Sequence, residues 1–535
     1  MIYDISEHIQ SVVFVLYTGI TLVLLGLAYF QITGKSPLSL LMIALGSLSI
    51  SLFVCLSDPF LHMWDEQIHA VVAKNMVHNP LKPMLMTSPI LPFKFTNWTV
   101  NHIWVHKQPL FLWQIALSFK LFGINTLSLR LPSILMTTLL IIPVYRIGKI
   151  ISGKQTGIYA AILLSGSNFI YQLNSGRMNT DHNDIAFLFY VTLSIWSWFE
   201  KENSGKKIWI ILIGLFSGAA ILNKWLVGLL VYAGWGLCIL IFKDKRNKIK
   251  SYIEILESIA ITIIVALPWQ LYILNKFPVE SKYEFNYNSL HFFKAIENHG
   301  GGLMYHIDKI QTLYGIDFQY IIYASLIVYL FSKIKTKYKT VIFIWILIVN
   351  VFYAIAATKM PAFTIIIAPL IYIVVAQALF ELFTFIINIL DRQKINKFVV
   401  IPLRIVLVFY LFFHFLDYNG LTLKNREWFK NSAQMSYNST QVYKNLPREF
   451  KGKDYMFFNA REFDHLKVLF YTDFRAKPGV PSQIQIDTLN NHKIKIMVFD
   501  NDQLPDYIIN DTTIAKIKSQ VWQKDYKGKI EVYYK

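Results

Sequence analysis

Asp65-Glu66-Gln67-Ile68-His69-Ala70-Val71-Val72-Ala73-Lys74-Asn75-Met76 places two adjacent carboxylates directly after a long apolar run. Ile68, Val71, Val72 and Met76 form an apolar stripe at helical spacing, so the segment predicts an interfacial helix with Asp65 and Glu66 in its first turn. Acidic residues at that place complement the helix dipole, which is one sufficient reading of the pair. A carboxylate close to hydrocarbon is costly to keep charged and needs a partner, a wet cavity or a task. In a partly dry site it can take a proton from an acceptor hydroxyl or amine. On these residues alone both readings stand.

Working outward, 54% of the 535 residues are hydrophobic and only 16% are charged. That balance indicates a polytopic membrane protein. The net charge of +19 falls in short clusters between apolar runs, without the interleaved aromatics of a nucleic-acid surface, so membrane orientation explains it and no nucleic-acid partner is expected. Cys55 and Cys238 both sit in apolar stretches and read as small hydrophobes. The opening Met1-Ile-Tyr-Asp-Ile-Ser-Glu-His8 lacks the basic start of a secretory signal, so the first apolar run is expected to stay as a span.

Apolar runs near 12–32, 37–56, 126–148, 156–173, 183–199, 208–222, 225–242, 254–275, 316–333, 340–357, 361–385 and 398–416 predict about twelve crossings. Residues 109–123 suit a helix lying in the interface. Short loops rich in Lys and Arg stay cytoplasmic. One alternate set carries Lys35; Arg146, Lys149 and Lys154; Lys201, Lys206 and Lys207; Lys243, Lys245, Arg246, Lys248 and Lys250; Lys333, Lys335, Lys337 and Lys339; and Arg392, Lys394 and Lys397. The other set, 57–125, 174–182, 223–224, 276–315, 358–360 and the tail, is therefore expected outside, with both termini. The expected setting is a bacterial inner membrane.

Nearly all the polar residues that need explaining fall in that second set. Lys107, in Trp104-Val-His-Lys-Gln-Pro109, is either a lysine snorkelling to headgroups or a cation that holds a phosphate. Lys224 and Lys359, on very short loops, have the same two readings. Residues 174–184 pack Arg177, Asp181, His182 and Asp184 together, more charge than turns and caps require. The loop 276–315 is long and aromatic, and runs into Glu297-Asn-His299-Gly-Gly-Gly302, as expected of a lid over substrate. His106 and His299 are outside-loop histidines for which a divalent metal is one reading; such pairs are more often unliganded, and the metal stays open. From about 420 the chain becomes polar. Asp454–Asn459, Leu466–Tyr471 and Ile494–Asp500 read as strands and Thr512–Trp522 as helix, so a small α/β domain at 420–535 follows a membrane domain at 1–419. No Gly-rich phosphate loop occurs, hence no nucleotide cofactor is expected.

The ordered set Asp65-Glu66 with Ala70, Lys107-Gln108-Pro109, Leu121-Phe122-Gly123, Arg130-Leu131-Pro132, Asp184 to Leu193, Asn223-Lys224, Pro268-Trp269 and Thr358-Lys359-Met360-Pro361 resembles the GT-C membrane glycosyltransferases, in particular the lipid A aminoarabinose transferase and protein O-mannosyltransferase group. The likeness runs over about 57–385. It implies an all-α GT-C membrane domain and an inverting transferase that takes a hexose or pentose from a polyprenyl-phosphate donor to a lipid, protein or glycan acceptor on the extracytoplasmic face. It further implies Asp65 as the acceptor-activating carboxylate, Asp181 or Asp184 in the same cavity, Lys107 near the donor phosphate, and Glu66, His106, Arg177, Lys224, His299 and Lys359 around the substrates. Ile68 stands where the aminoarabinose-transferase pattern has Arg, His69 where it has Tyr, His106 where it has Glu and Phe363 where it has Tyr. A transporter or a flippase or polymerase of lipid-linked glycans is the competing reading; a transporter should hold its polar groups near the middle of its spans.

Overall fold

The computed structural model describes residues 4–392 except 88 and 179, 399–424, 427–518 except 453, and 531–533. Among the described residues, eight helical stretches are long and apolar enough to cross a membrane: Ile5–Thr33, Ser36–Ser57, Thr126–Ser152, Ile208–Ile241, Ile249–Lys276, Thr336–Ile355, Pro361–Asp391 and Val400–Leu421. A ninth appears if Tyr305–Tyr314 and Phe318–Phe331, bent by 105°, form one span. The chain is an integral multi-pass membrane protein.

That number is lower than the twelve runs in the sequence, for identifiable reasons. Run 156–173 is broken into Lys154–Leu164 and Asn168–Asn174. Run 183–199 lies within Asp181–Ser204, a helix whose ends carry Asp184 and Glu200 and leave a short apolar centre. Runs 208–222 and 225–242 are counted together as Ile208–Ile241, but the chain reverses between them. Trp225 has φ +56°, and a Cβ on Gly228 would lie 2.8 Å from the Ile221 nitrogen, an approach only a glycine allows. The returning half holds Tyr232, whose hydroxyl meets Ser258 and Thr262 at 2.8 and 2.6 Å. The segment 109–123 is the helix Leu110–Phe122, too short to cross a membrane.

The two sets of loops gather at opposite ends of the bundle. At one end Glu202 receives Lys201 at 3.2 Å, Lys245 at 2.9 Å and Lys337. At the other, Asp65, Lys107, Thr180, Lys224, His299 and Thr358 surround one cavity. Lys394 and Lys397 lie outside the described residues.

The tail forms a five-stranded sheet, β1 (Tyr455–Phe458), β2 (Arg475–Lys477), β3 (Lys495–Asp500), β4 (Ala515–Lys518) and β5 (Glu531–Tyr533), in the order β2-β1-β3-β4-β5. All pairs are parallel except β4 with β5. Buried strands of a parallel sheet need cover on both faces. Glu427–Glu449 and His465–Tyr471 supply it on one face through Val442, Leu446 and Val468; Gln483–Asn491 supplies it on the other through Ile486 and Leu489, joined by Leu91 of the first long loop.

Two sequence assignments are corrected here. Leu466–Tyr471 is helical, because Leu466 and Phe470 pack on the membrane domain while Val468 packs on the sheet, and a run that short with partners all round carries no readable period. The start of Thr512–Trp522 is strand β4, held by pairing with β3 despite its helical spacing; Trp522 lies outside the described residues.

Lys74, at the far end of the Asp65 helix, fastens the tail to the membrane domain. Its ammonium donates to the carbonyls of Leu469, Phe470 and Thr472 at 2.9, 3.2 and 2.6 Å. Hydrogen bonds to a charged group contribute about 1.5–3 kcal/mol. Lys74→Met should therefore raise amide exchange in His465–Thr472 by about tenfold or more, with the sheet amides unchanged; identical protection in that segment would refute the tether.

Candidate active site

The cavity at the Asp65 end has a volume of about 830 Å³. Several parts of the chain build it, among them the end of Thr336–Ile355 with residues 358–363 and Phe463 of the tail. The loop and helix around Asp65 give Trp64 and Asp65, and the segment before Leu110 gives Trp98, Thr99, His106 and Lys107. The starts and ends of Asp181–Ser204 and Ile208–Lys224 give Thr180, Asn183, Asn223 and Lys224. The long loop expected as a lid contains the helix Pro278–Phe293 and gives Asn288, His291, Glu297 and His299.

Two carboxylates line the cavity: Glu297, which accepts from the Tyr287 hydroxyl at 2.7 Å, and Asp65. The Thr180 N–H donates to its Oδ2 at 2.9 Å. Burial is the largest influence and pushes its pKa up, but Lys107, His69 and His106, together with the Thr180 N–H, outweigh it and hold the carboxyl below the usual 3.8. It is therefore ionised at neutral pH and ready to accept a proton. Lys107 lines the same cavity and has no hydrogen bond or ion pair among the described residues that ties down its ammonium. Lys224 pairs with Asp184 and lies 4.6 Å over the ring of Phe363.

Three residues beside these groups adopt positive φ without being glycine: Trp64 (73°) before Asp65, Thr180 (68°) before Asp181 and Trp225 (56°) after Lys224. Such conformations cost roughly 1–3 kcal/mol each and persist only where packing imposes them. They turn the chain sharply enough to aim each neighbouring side chain. The buried carbonyl oxygens of the Asn183 and Asn223 side chains have no hydrogen-bond partner among the described residues, and both residues line the cavity. Two unsatisfied acceptors beside two cations suit a ligand that carries hydroxyl groups next to an anion.

The remaining expected site residues lie around the cavity and not on it. Glu66 points away, into a fork formed by Arg130: Nε to Oε1 at 2.7 Å and Nη2 to Oε2 at 3.0 Å. The His62 N–H adds a bond at 2.7 Å. Arg130 also donates to the carbonyls of Cys55, Asp58 and Phe60 at 2.9, 2.6 and 2.8 Å. Gly176 lies against this fork: its φ is +76°, and a Cβ there would come 2.3 Å from the Glu66 carboxyl carbon. Arg177 is engaged by Asp58 at 2.5 and 3.0 Å, which His62 also meets at 2.9 Å. Asp181 bonds His69 at 3.0 Å below the cavity floor. Lys359 closes the end of Thr336–Ile355, donating to the carbonyls of Tyr353, Ala354 and Ala356 at 3.0, 2.7 and 2.7 Å. Each of these charges has a local partner, although the Asp181 Oδ2 accepts no hydrogen bond among the described residues, so Glu66, Arg177, Asp181 and Lys359 support the site from behind. Of the acids in the second loop, Asp184 reaches the cavity through Lys224 while Asp181 does not.

Sequence reasoning gave no role to Asp58, Arg130, Glu284 or His69. Arg130 stood in a recognised motif, but its partner is 64 residues away. Glu284 bonds His106 at 2.9 Å across 178 residues, and His69 meets Asp181 across 112. Two of the four positions that depart from the aminoarabinose-transferase pattern, His69 and His106, are thus each matched to an acid from a distant segment. Among the described residues no group of three or more His, Cys, Asp or Glu side chains is placed to hold a metal ion.

Residues 106–272 match the family model described as dolichyl-phosphate-mannose-protein mannosyltransferase. An uncharacterized protein of Aquifex aeolicus is 27% identical over 194 residues, 36% of this chain and 36% of its own length. An undecaprenyl phosphate-alpha-4-amino-4-deoxy-L-arabinose arabinosyl transferase of Pseudomonas fluorescens is 27% identical over 188 residues, 33% of this chain and 32% of its own. The matched stretch thus spans about a third of these curated relatives. Among solved structures, ArnT from Cupriavidus metallidurans bound to undecaprenyl phosphate superposes with a TM-score of 0.63 at 13% identity, covering 90% of this chain and 92% of that one. The archaeal oligosaccharyltransferase AglB from Archaeoglobus fulgidus, in complex with an inhibitory peptide and a dolichol-phosphate, gives 0.52 at 13% identity, covering 83% and 64%. The chain has the GT-C fold and resembles the ArnT and protein mannosyltransferase group.

The fork around Glu66 yields a stability prediction. Burial pushes this carboxyl up, but Arg130 and His182 bring it down from 4.5 to about 2. A depressed pKa means stability that is present above pH 4.5 and lost as pH falls towards 2. Glu66→Gln strands a buried guanidinium, at a cost of about 3–5 kcal/mol. It should lower the unfolding temperature at pH 7 and flatten the acid loss between pH 4.5 and 2; an unchanged acid profile would contradict this assignment.

Proposed function

We propose that this chain is an inverting glycosyltransferase that moves a sugar from a polyprenyl-phosphate donor to a hydroxyl or amine of a lipid, protein or glycan acceptor on the extracytoplasmic face of the membrane. The observation that carries the reading is the convergence of an ionised carboxylate, Asp65, and two cations, Lys107 and Lys224, on a single cavity at the end of the bundle away from the lysine-rich loops. The lysine-rich end is the cytoplasmic one by the positive-inside rule, which puts the cavity on the opposite face. The ArnT structure that shares the fold is bound to undecaprenyl phosphate, in keeping with a lipid-phosphate donor.

In this reading the acceptor nucleophile attacks the anomeric carbon from the face opposite the phosphate, and the new bond to carbon forms as the carbon–oxygen bond to phosphate breaks. Asp65 takes the nucleophile's proton. The bonding pair leaves on the phosphate, whose charge grows from one negative to two, and Lys107 and Lys224 stabilise that growth. Positive charge building on the sugar ring is offset by the same Asp65 carboxylate. A transporter would hold its charges midway along its spans; here the Asp58–Arg177, Glu66–Arg130 and Lys224–Asp184 pairs collect at one end and the Glu202 cluster at the other.

General-base catalysis contributes about 10²–10⁴ in rate. Asp65→Asn should reduce single-sugar transfer by about that factor while the protein still folds; turnover like the parent's would reject the role, and products growing by repeated addition would point to a polymerase. Lys107→Ala should raise the donor KM about tenfold or more with little change in acceptor KM, and an effect confined to the acceptor would exclude phosphate contact.

A further inference from the structure

The cavity has two unlike walls. One is made by the spanning helices and their ends: Val227, Phe352, Tyr353 and Phe363, with Lys224 above the last. The other is aromatic and is shared with the tail domain. Phe463, which belongs to the segment leading into His465–Tyr471, lies 4.4 Å from Trp64, centroid to centroid. Trp64 lies 6.5 Å from Trp98, and Trp98 stacks on His106 at 5.2 Å with the rings 8° from parallel. All four rings line the cavity, and His106 is fixed from behind by Glu284.

Trp98 and Phe463 are partly buried against the core of the membrane domain, but core packing does not account for Trp64. Trp64 is 40% exposed and is held at φ +73°, a conformation that disfavours a bulky side chain. A large indole kept in a strained turn, facing open space next to the reacting carboxylate, calls for a ligand with a flat apolar face. Around it the lining offers Thr99, Asn288 and Asn298, neutral hydrogen-bonding groups, and the amide oxygens of Asn183 and Asn223 lack donors among the described residues. Aromatic faces flanked by amides and hydroxyls match a pyranose ring, which presents C–H groups on one face and hydroxyls at its rim. The donor's polyprenyl chain has to leave along the apolar wall of spanning helices, so the aromatic wall, which opens towards the tail domain, is left for the acceptor.

We propose that the Phe463–Trp64–Trp98 wall is an acceptor subsite for a pyranose sugar, so that the acceptor is a glycan or glycan-bearing lipid and the tail domain completes the site through Phe463. This rests on the glycosyltransferase reading and narrows its acceptor. Phe463 and Trp64 are here specificity-determining residues, distinct from Asp65.

The test uses the full-length protein in nanodiscs with a radiolabelled polyprenyl-phosphate sugar donor. Three acceptor pools are prepared from cell envelopes of the source organism: delipidated protein, phospholipid free of glycan, and free glycan together with glycan-bearing lipid. Label is expected in the glycan-bearing pool alone. Phe463→Ala and Trp64→Leu should each raise the acceptor concentration for half-saturation about tenfold or more. Phe463→Leu, which keeps apolar volume without a ring face, should behave like Phe463→Ala, and Phe463→Trp should restore the parent value. Undecaprenyl phosphate affinity, measured separately on the same proteins, should change less than twofold, which separates loss of the wall from loss of fold. Label in protein or in glycan-free phospholipid, or half-saturation within twofold of the parent in both Phe463→Ala and Trp64→Leu, would overturn the proposal. If the parent protein labels no pool at all, the glycosyltransferase reading itself fails.

Discussion

The fork between Arg130 and Glu66 is the constraint on which the rest of the site depends. Both side chains are fully buried, and the guanidinium spends its donors on one carboxylate and three backbone carbonyls of residues 55–60. It thereby joins the end of the second span, the start of the Asp65 helix and the Thr126–Ser152 helix at one point. A buried ion pair contributes little net stability compared with apolar packing, but removing one partner is severely destabilising. Such a pair therefore fixes geometry more than it adds free energy. What it fixes here is the direction of the residue next in sequence: with Glu66 turned inward, Asp65 on the adjacent helical position faces the cavity.

The division of labour between the two adjacent acids was legible in part. Sidedness followed from the lysine pattern, and the two sets of loops do gather at opposite ends of the bundle, because the hydrophobic runs between them are helices that leave no other place for the loops to go. The GT-C fold followed from the order of motifs. Helix continuity was less readable: one apolar run of ordinary composition is cut at Ser165–Ser167, and another carries its acids at both ends. Of the four positions that depart from the aminoarabinose-transferase pattern, His69 and His106 are each paired with a carboxylate from far along the chain. Long-range pairing of this kind has no period and no local signature, so a single sequence does not carry it.

Lysines were the least predictable residues. Lys74, Lys107, Lys224 and Lys359 all occur in the loops at the Asp65 end, and the sequence offered the last three the same choice between headgroup and phosphate. The structure separates them by their partners: Lys359 and Lys74 satisfy the carbonyls at helix ends, Lys224 is balanced by Asp184, and Lys107 faces the cavity with its ammonium untethered among the described residues. An ammonium has three donors and a flexible stem, and which acceptors lie within reach is a property of tertiary packing.

Trp64, Thr180 and Trp225 hold left-handed backbone where glycine would be relaxed. Each therefore subtracts from the conformational stability that the membrane domain accumulates elsewhere, and does so beside a residue of the site. A lineage selected for heat tolerance alone would have replaced them, since glycine at such positions relieves the strain without altering the turn. Those three peptide units trade about 1–3 kcal/mol each for side chains that arrive already aimed.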